Sequence, residues 1–85
     1  MEPNTWMARV KLFAGAREIQ GADEATFSIG GESLCAEDFL RLFFKNHPRL
    51  SALGGRLAVN LEFADDRTPI HSGDDLALIP PVSGG

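Results

Sequence analysis

Cysteine is nearly absent from these 85 residues, and Cys35 stands alone. One thiol excludes an internal disulfide and a cysteine-only zinc site, and it suits a reducing, cytoplasmic setting. No long apolar run is present, which excludes a membrane-spanning helix and leaves no reason to expect a membrane partner. The opening "MEPNTWMARV" has neither a basic stretch nor an apolar core, so no secretory signal is expected. Basic clusters are missing as well. Eight Lys and Arg are scattered from Arg9 to Arg67 against twelve Asp and Glu, for a formal charge of −4. Nucleic-acid binding needs a basic stripe, so that class is disfavoured.

Catalytic constellations are equally scarce. Cys35 sits near a helix start, where a thiol can be activated, but His47 and His71 are distant in sequence and no cysteine motif surrounds it. A small packed residue is the simpler account. Neither histidine has a second ligand at metal spacing, so no metal site is expected. Asp65–Asp66 and Asp74–Asp75 read as turn residues rather than as a paired-acid site. Gly30–Gly31 and Gly54–Gly55 punctuate loops and match no phosphate-binding spacing.

What is present is a pattern of strands around one helix. Trp6–Ala14 alternates around Met7, Val10 and Leu12 and reads as a strand. Gly15–Asp23 has room for one or two helical turns around Arg17–Gln20. Glu24–Ile29 alternates Ala25, Phe27 and Ile29 and reads as a second strand, antiparallel to the first. Ser33 is placed to cap a helix running from about Leu34 to His47, with Glu37 and Asp38 in its first turns. Its expected core face is Leu40, Phe43 and Phe44, and Pro48 ends it. Arg49–Gly55 reads as a connector with a short turn. Arg56–Phe63 alternates Leu57, Val59, Leu61 and Phe63 as a third strand. Ala64–Asp75 is turn material with a short edge strand near Thr68. Leu76–Pro80 is a last strand whose unbroken apolar run predicts burial on both faces, in mid-sheet. This order describes an α+β domain of the β-grasp type: a mixed sheet of four to five strands with one main helix packed on one face. The expected domain is residues 1–79, with 1–5 a loose extension and 80–85 an extended tail.

The tail "PPVSGG" carries the only unusual chemistry. Pro80 and Pro81 lack an N–H and cannot continue an internal ladder. They favour polyproline geometry, at roughly 3.1 Å per residue. Gly84 and Gly85 have no Cβ and fit a slot too narrow for other residues. Six residues reach on the order of 20 Å, enough to enter a partner's active site while the domain stays outside. A carboxylate on Gly85 is sterically open to activation by ATP. A flexible, inert end is the competing reading of the same residues.

Val10–Gly21 and Arg56–Gly85 resemble the small subunit of molybdopterin synthase, the MoaD-type sulfur carrier of the ubiquitin-like family. The resemblance rests on Phe13-Ala14 followed by Arg17-Glu18, on Ala58-Val59-Asn60, on Gly73-Asp74, and most specifically on Pro80-Pro81-Val82-Ser83-Gly84-Gly85. It implies a carrier that is not an enzyme on its own. An E1-like adenylyltransferase would use ATP to adenylate Gly85, and sulfur would then be held as a thiocarboxylate, with no stably bound cofactor. The tail would enter the large synthase subunit, in a heterotetramer of two small and two large subunits. There it would give sulfur to cyclic pyranopterin monophosphate in molybdenum cofactor biosynthesis. Carried onto this chain, Gly85 bears the sulfur, Gly84 gives narrow entry, and Pro80, Pro81, Val82 and Ser83 form the stem. Phe13, Phe63 and Ile79 match an apolar docking patch, although Ile79 also reads as core. Arg17 matches an arginine that pairs with an acidic partner group, or is solvated. Related outcomes are sulfur transfer to thiamin thiazole or tRNA, protein conjugation, and a plain β-grasp binding module. The N-terminal extension Met1–Met7 and the heavy Phe39, Phe43 and Phe44 depart from the family pattern.

Overall fold

Alternating apolar residues build most of the sheet in the computed structural model, which describes residues 5–81. In chain order the elements are β1 (Thr5–Leu12), α1 (Ala14–Gln20), β2 (Glu24–Gly30), β3 (Ser33–Cys35) and α2 (Ala36–Asn46). They continue with α3 (Pro48–Leu53), β4 (Arg56–Val59), β5 (Glu62–Phe63), β6 (Pro69–His71) and β7 (Leu76–Ile79). The main sheet has five strands in the order β2-β1-β7-β4-β5, and β3 and β6 form a separate two-stranded sheet. The last strand lies in the middle, parallel to β1 and antiparallel to β4. This is the mixed sheet of a ubiquitin-like β-grasp, with α2 as its main helix.

Period-two alternation turns Ala8, Val10 and Leu12 of β1 and Ala25, Phe27 and Ile29 of β2 into one core. Leu57, Val59, Leu76 and Leu78 join them from β4 and β7. Phe39 and Phe43 of α2 cover this layer and are fully buried. Their rings lie 5.4 and 5.8 Å from that of Phe27, within the range of favourable aromatic pairs. Among the described residues no polar or charged residue is buried.

Several expectations need correction. The core face of α2 is Ala36, Phe39 and Phe43, while Leu40 and Phe44 only flank the core. The helix starts at Ala36 rather than near Leu34, because Ser33–Cys35 pairs as β3 with Pro69–His71. Cys35, not Ser33, holds the N-cap position, and it makes no side-chain cap. The loop before β6 caps the helix instead: Ala36 N–H donates to Thr68 O at 2.8 Å, and Glu37 N–H to Asp66 O at 3.1 Å. Pro48 ends α2 as read, but it also opens α3 at a position where a missing N–H costs nothing. The third strand is a hairpin. Val59 pairs with Glu62, and the two residues between them, Asn60 and Leu61, have φ values of 53° and 72°. The strand at Leu76–Ile79 is central, yet only Leu76 and Leu78 are buried. Ala77 and Ile79 face an uncovered side of the sheet, so one helical layer, not two, covers the sheet.

Asn60 ties this hairpin to the start of β7. Its amide donates to the Asp74 carboxylate at 3.2 Å and its side-chain carbonyl accepts the Asp75 N–H at 2.9 Å. The Asp74 carboxylate also accepts the His71 N–H at 2.7 Å. Replacing Asn60 with Ala removes its two side-chain bonds, to Asp74 and from Asp75 N–H, and places a Cβ-only residue at positive φ. A loss of about 1–2 kcal/mol is expected, measured by urea denaturation.

Candidate functional site

The uncovered face of the sheet follows from the same alternation that builds the core. Across it runs the paired row Lys11, Ala77, Ala58, Phe63, from β1 through β7 and β4 to β5. Two alanines side by side hollow the middle of the sheet. Larger apolar residues stand around them, with Phe63 55 % exposed and Phe13 45 % exposed. Together with Leu61 and Ile79 they line a shallow concavity of about 340 Å³. Lys11 and Asp75 border it and form an ion pair at 3.3 Å. The Arg56 guanidinium lies 4.0 Å from the centre of the Phe63 ring, a cation–π contact that keeps the ring standing at the surface. Exposed apolar clusters of this kind mark interaction surfaces.

The tail begins at this concavity. Ile79 ends β7 and lines the patch, and Pro80, which cannot donate to a ladder, follows half-buried. Arg56 pairs with Ile79, and Gly55 lies against the strand exit. Gly55 has φ +125°, and a Cβ there would come within 2.7 Å of Ile79 O and 3.3 Å of Pro80 Cα. Only glycine therefore lets the α3–β4 connection pass beside the root of the tail. Pro81 is exposed. Val82, Ser83, Gly84 and Gly85 lie outside the described residues, as do Met1–Asn4 of the expected extension; Thr5 already belongs to β1.

Of the interface residues read from sequence, Phe13, Phe63 and Ile79 are brought together on this face. Ile79 is half-buried within it rather than part of the core. Arg17 stands to one side, in a hollow of mixed polar and apolar lining that shares Lys11 and Phe13 with the patch. Its guanidinium is 3.7 Å from the Asp23 carboxylate, and both groups are exposed. Ala58, Ala77, Leu61, Arg56 and Gly55 were not read from sequence as residues of the site. Alternation around the buried Leu57 and Leu76 carried the signal for the two alanines. Gly55 read only as loop punctuation, because its constraint comes from a strand distant in sequence. His47 is not simply a helix-end residue: its Nε2 lies 3.1 Å from Thr26 O on the edge strand β2. Cys35 and the first-turn acids Glu37 and Asp38 bring ligand atoms within 4.8 Å of one another, a grouping the histidine-based reading did not consider. The positive end of the α2 dipole accounts for the two acids there.

A β-grasp domain with an open apolar sheet face, and a Pro-Pro segment leaving from the edge of that face, defines a ubiquitin-like architecture. The chain belongs to the ThiS family, whose profile matches residues 10–85. It is 36 % identical over 81 residues to the molybdopterin synthase sulfur carrier subunit of Chlamydomonas reinhardtii, covering 91 % of this chain and 96 % of that protein. The corresponding subunit of Arabidopsis thaliana is 35 % identical over 79 residues, covering 91 % of this chain and 81 % of that protein. Among solved structures, small archaeal modifier protein 1 of Haloferax volcanii superposes with a TM-score of 0.74 at 29 % identity, over 91 % of this chain and 99 % of that one. The modifier protein 1 of Methanosarcina acetivorans gives 0.70 at 25 % identity, over 96 % and 99 %.

Proposed function

We propose that this chain is the sulfur carrier subunit of a molybdopterin synthase, and that it acts through the Gly85 carboxylate. The carrying observation is that the apolar face and the root of the tail share one residue, Ile79. A partner that covers the face is thereby positioned to receive the tail. The names of the relatives and the Pro80–Gly85 sequence support the same reading.

The chemistry follows from the poor reactivity of a carboxylate. An E1-like enzyme joins the Gly85 carboxylate to the α-phosphate of ATP and releases pyrophosphate. A sulfide equivalent then attacks the acyl carbon and AMP leaves, giving the thiocarboxylate. In the large subunit this sulfur passes to cyclic pyranopterin monophosphate, and hydrolysis returns the carboxylate. The domain contributes no reacting group; it contributes recognition and positioning. Two small and two large subunits, an ATP-containing cytoplasmic setting, and no stably bound cofactor are parts of the same proposal.

Incubation with an activating enzyme, ATP and a sulfur source is expected to add about 16 Da at Gly85, one oxygen replaced by sulfur. Intact-mass spectrometry reads this directly, and a folded chain that never gains the mass contradicts the proposal. Replacing Phe63 with Ser removes an exposed aromatic anchor and the seat of Arg56. Affinity for the large subunit, read by titration calorimetry, is expected to fall about 10- to 100-fold with the melting temperature nearly unchanged. The solved neighbours named modifier proteins favour protein conjugation as the second reading. Complementation of a strain lacking the molybdopterin carrier separates the two, since a pure protein modifier would not restore it.

A further inference from the structure

Leu61 occupies a position where glycine would fit better. The β4–β5 hairpin has a two-residue loop, and φ is positive at both Asn60 and Leu61. That is the type I′ geometry, which favours glycine at its second position. Asn60 tolerates the left-handed region and uses its amide to bind Asp74 and Asp75. Leu61 has no polar group, and its φ of 72° crowds its Cβ against the backbone. Its side chain is 88 % exposed, so burial does not offset the strain. An exposed leucine alone means little. An exposed leucine held at positive φ, on the rim of an apolar concavity, is strained without return inside the isolated domain.

We propose that Leu61 is an apolar anchor of the docking face, received in an apolar pocket of the large synthase subunit. This rests on the docking reading above and deepens it. Leu61 follows β4, whereas Arg56, at the other end of that strand, pairs with Ile79 at the root of the tail. The face is therefore gripped at two ends, and the far grip at Leu61 fixes the angle at which the tail leaves. The concavity runs without a break from Leu61 to Phe63 and Ile79, so one partner covers all three. Subunits of a synthase, as the relatives are named, have such a partner.

The test is titration of the cognate large subunit into the full chain and its variants, with thermal melting of each variant alone. Leu61→Gly relieves the strain and removes the anchor. It is expected to raise the melting temperature by about 3–6 °C and to weaken binding about 10-fold. Leu61→Asn, polar but suited to the turn, is expected to bind as weakly as Leu61→Gly. Leu61→Met is expected to bind within about threefold of the natural chain. Unchanged binding by the Gly and Asn variants overturns the anchor, as does a melting temperature that fails to rise for Leu61→Gly. Phe63→Ser distinguishes the two levels. If it weakens binding while Leu61→Gly does not, the docking reading stands and the anchor falls. If neither weakens binding, the docking reading fails first. Self-association of the natural chain that Leu61→Gly disperses would make the occupant a second copy and overturn the assignment to the large subunit.

Discussion

A chain ending at Ser83, with Gly84 and Gly85 deleted, is expected to lose sulfur transfer by more than about a hundredfold. The deletion leaves a carboxylate, so the loss does not come from removing the functional group. It comes from reach and width. Two residues of extended chain span about 7 Å, far beyond the tolerance for attack at a fixed centre. The new terminal residue also carries a side chain where glycine has none. Because the core is built from residues between Ala8 and Leu78, the denaturation midpoint is expected to stay where it was. The measurements are intact mass after activation and the rate of dithiolene formation with the large subunit. Undiminished transfer by a stable, truncated chain would remove Gly85 from the mechanism. A single alanine added after Gly85 tests the same point from the other side and is expected to block activation as fully.

Gly55→Ala is expected to cost about 3 kcal/mol of folding stability, a large effect for one methyl group. Two causes act together. The backbone at φ +125° is strained for any residue with a side chain. The added Cβ would also lie 2.7 Å from Ile79 O, a backbone atom that cannot rotate away. Relief requires β4 to move from β7 or the Ile79–Pro80 exit to shift, and either change redirects the tail. Sulfur transfer is therefore expected to fall even at temperatures where the variant is folded. Gly30→Ala serves as the control. A Cβ at Gly30 meets nothing within 4 Å, so its effect on stability is expected within about 0.5 kcal/mol. Urea denaturation of both variants decides the comparison, and equal effects would show that the close approach at the tail root is not a constraint.

Much of the fold was legible because alternation reports one fact well: which residues share a face. Ala25, Phe27 and Ile29 read as one inward row, and they are one. The helix expected from about Leu34 to His47 runs from Ala36 to Asn46, so its start was placed too early. The pairing of Ser33–Cys35 with Pro69–His71 joins segments more than thirty residues apart, and no local pattern announces it. The hairpin at Asn60–Leu61 was hidden for a different reason. Leu61 continues the apolar alternation, so the sequence reads as one strand through a turn whose second residue is usually glycine. Leu76–Ile79 read as doubly buried because an apolar run looks the same whether its second face meets a helix or a partner.

By itself the sequence determined the α+β class and the central last strand, and it singled out Pro80–Gly85 as the segment on which the proposed chemistry rests. These are properties of residue type and order: period-two alternation, a missing N–H, a missing Cβ and an accessible carboxylate. The tertiary structure alone decided that Phe13, Leu61, Phe63 and Ile79 form one surface, that this surface begins where the tail begins, and that Gly55 must be glycine. Each of these depends on strands that are neighbours in space but not in sequence. The distance between Gly55 and Ile79 O is set by the pairing of β4 with β7. Such a distance is absent from the linear pattern and appears only when the chain has folded.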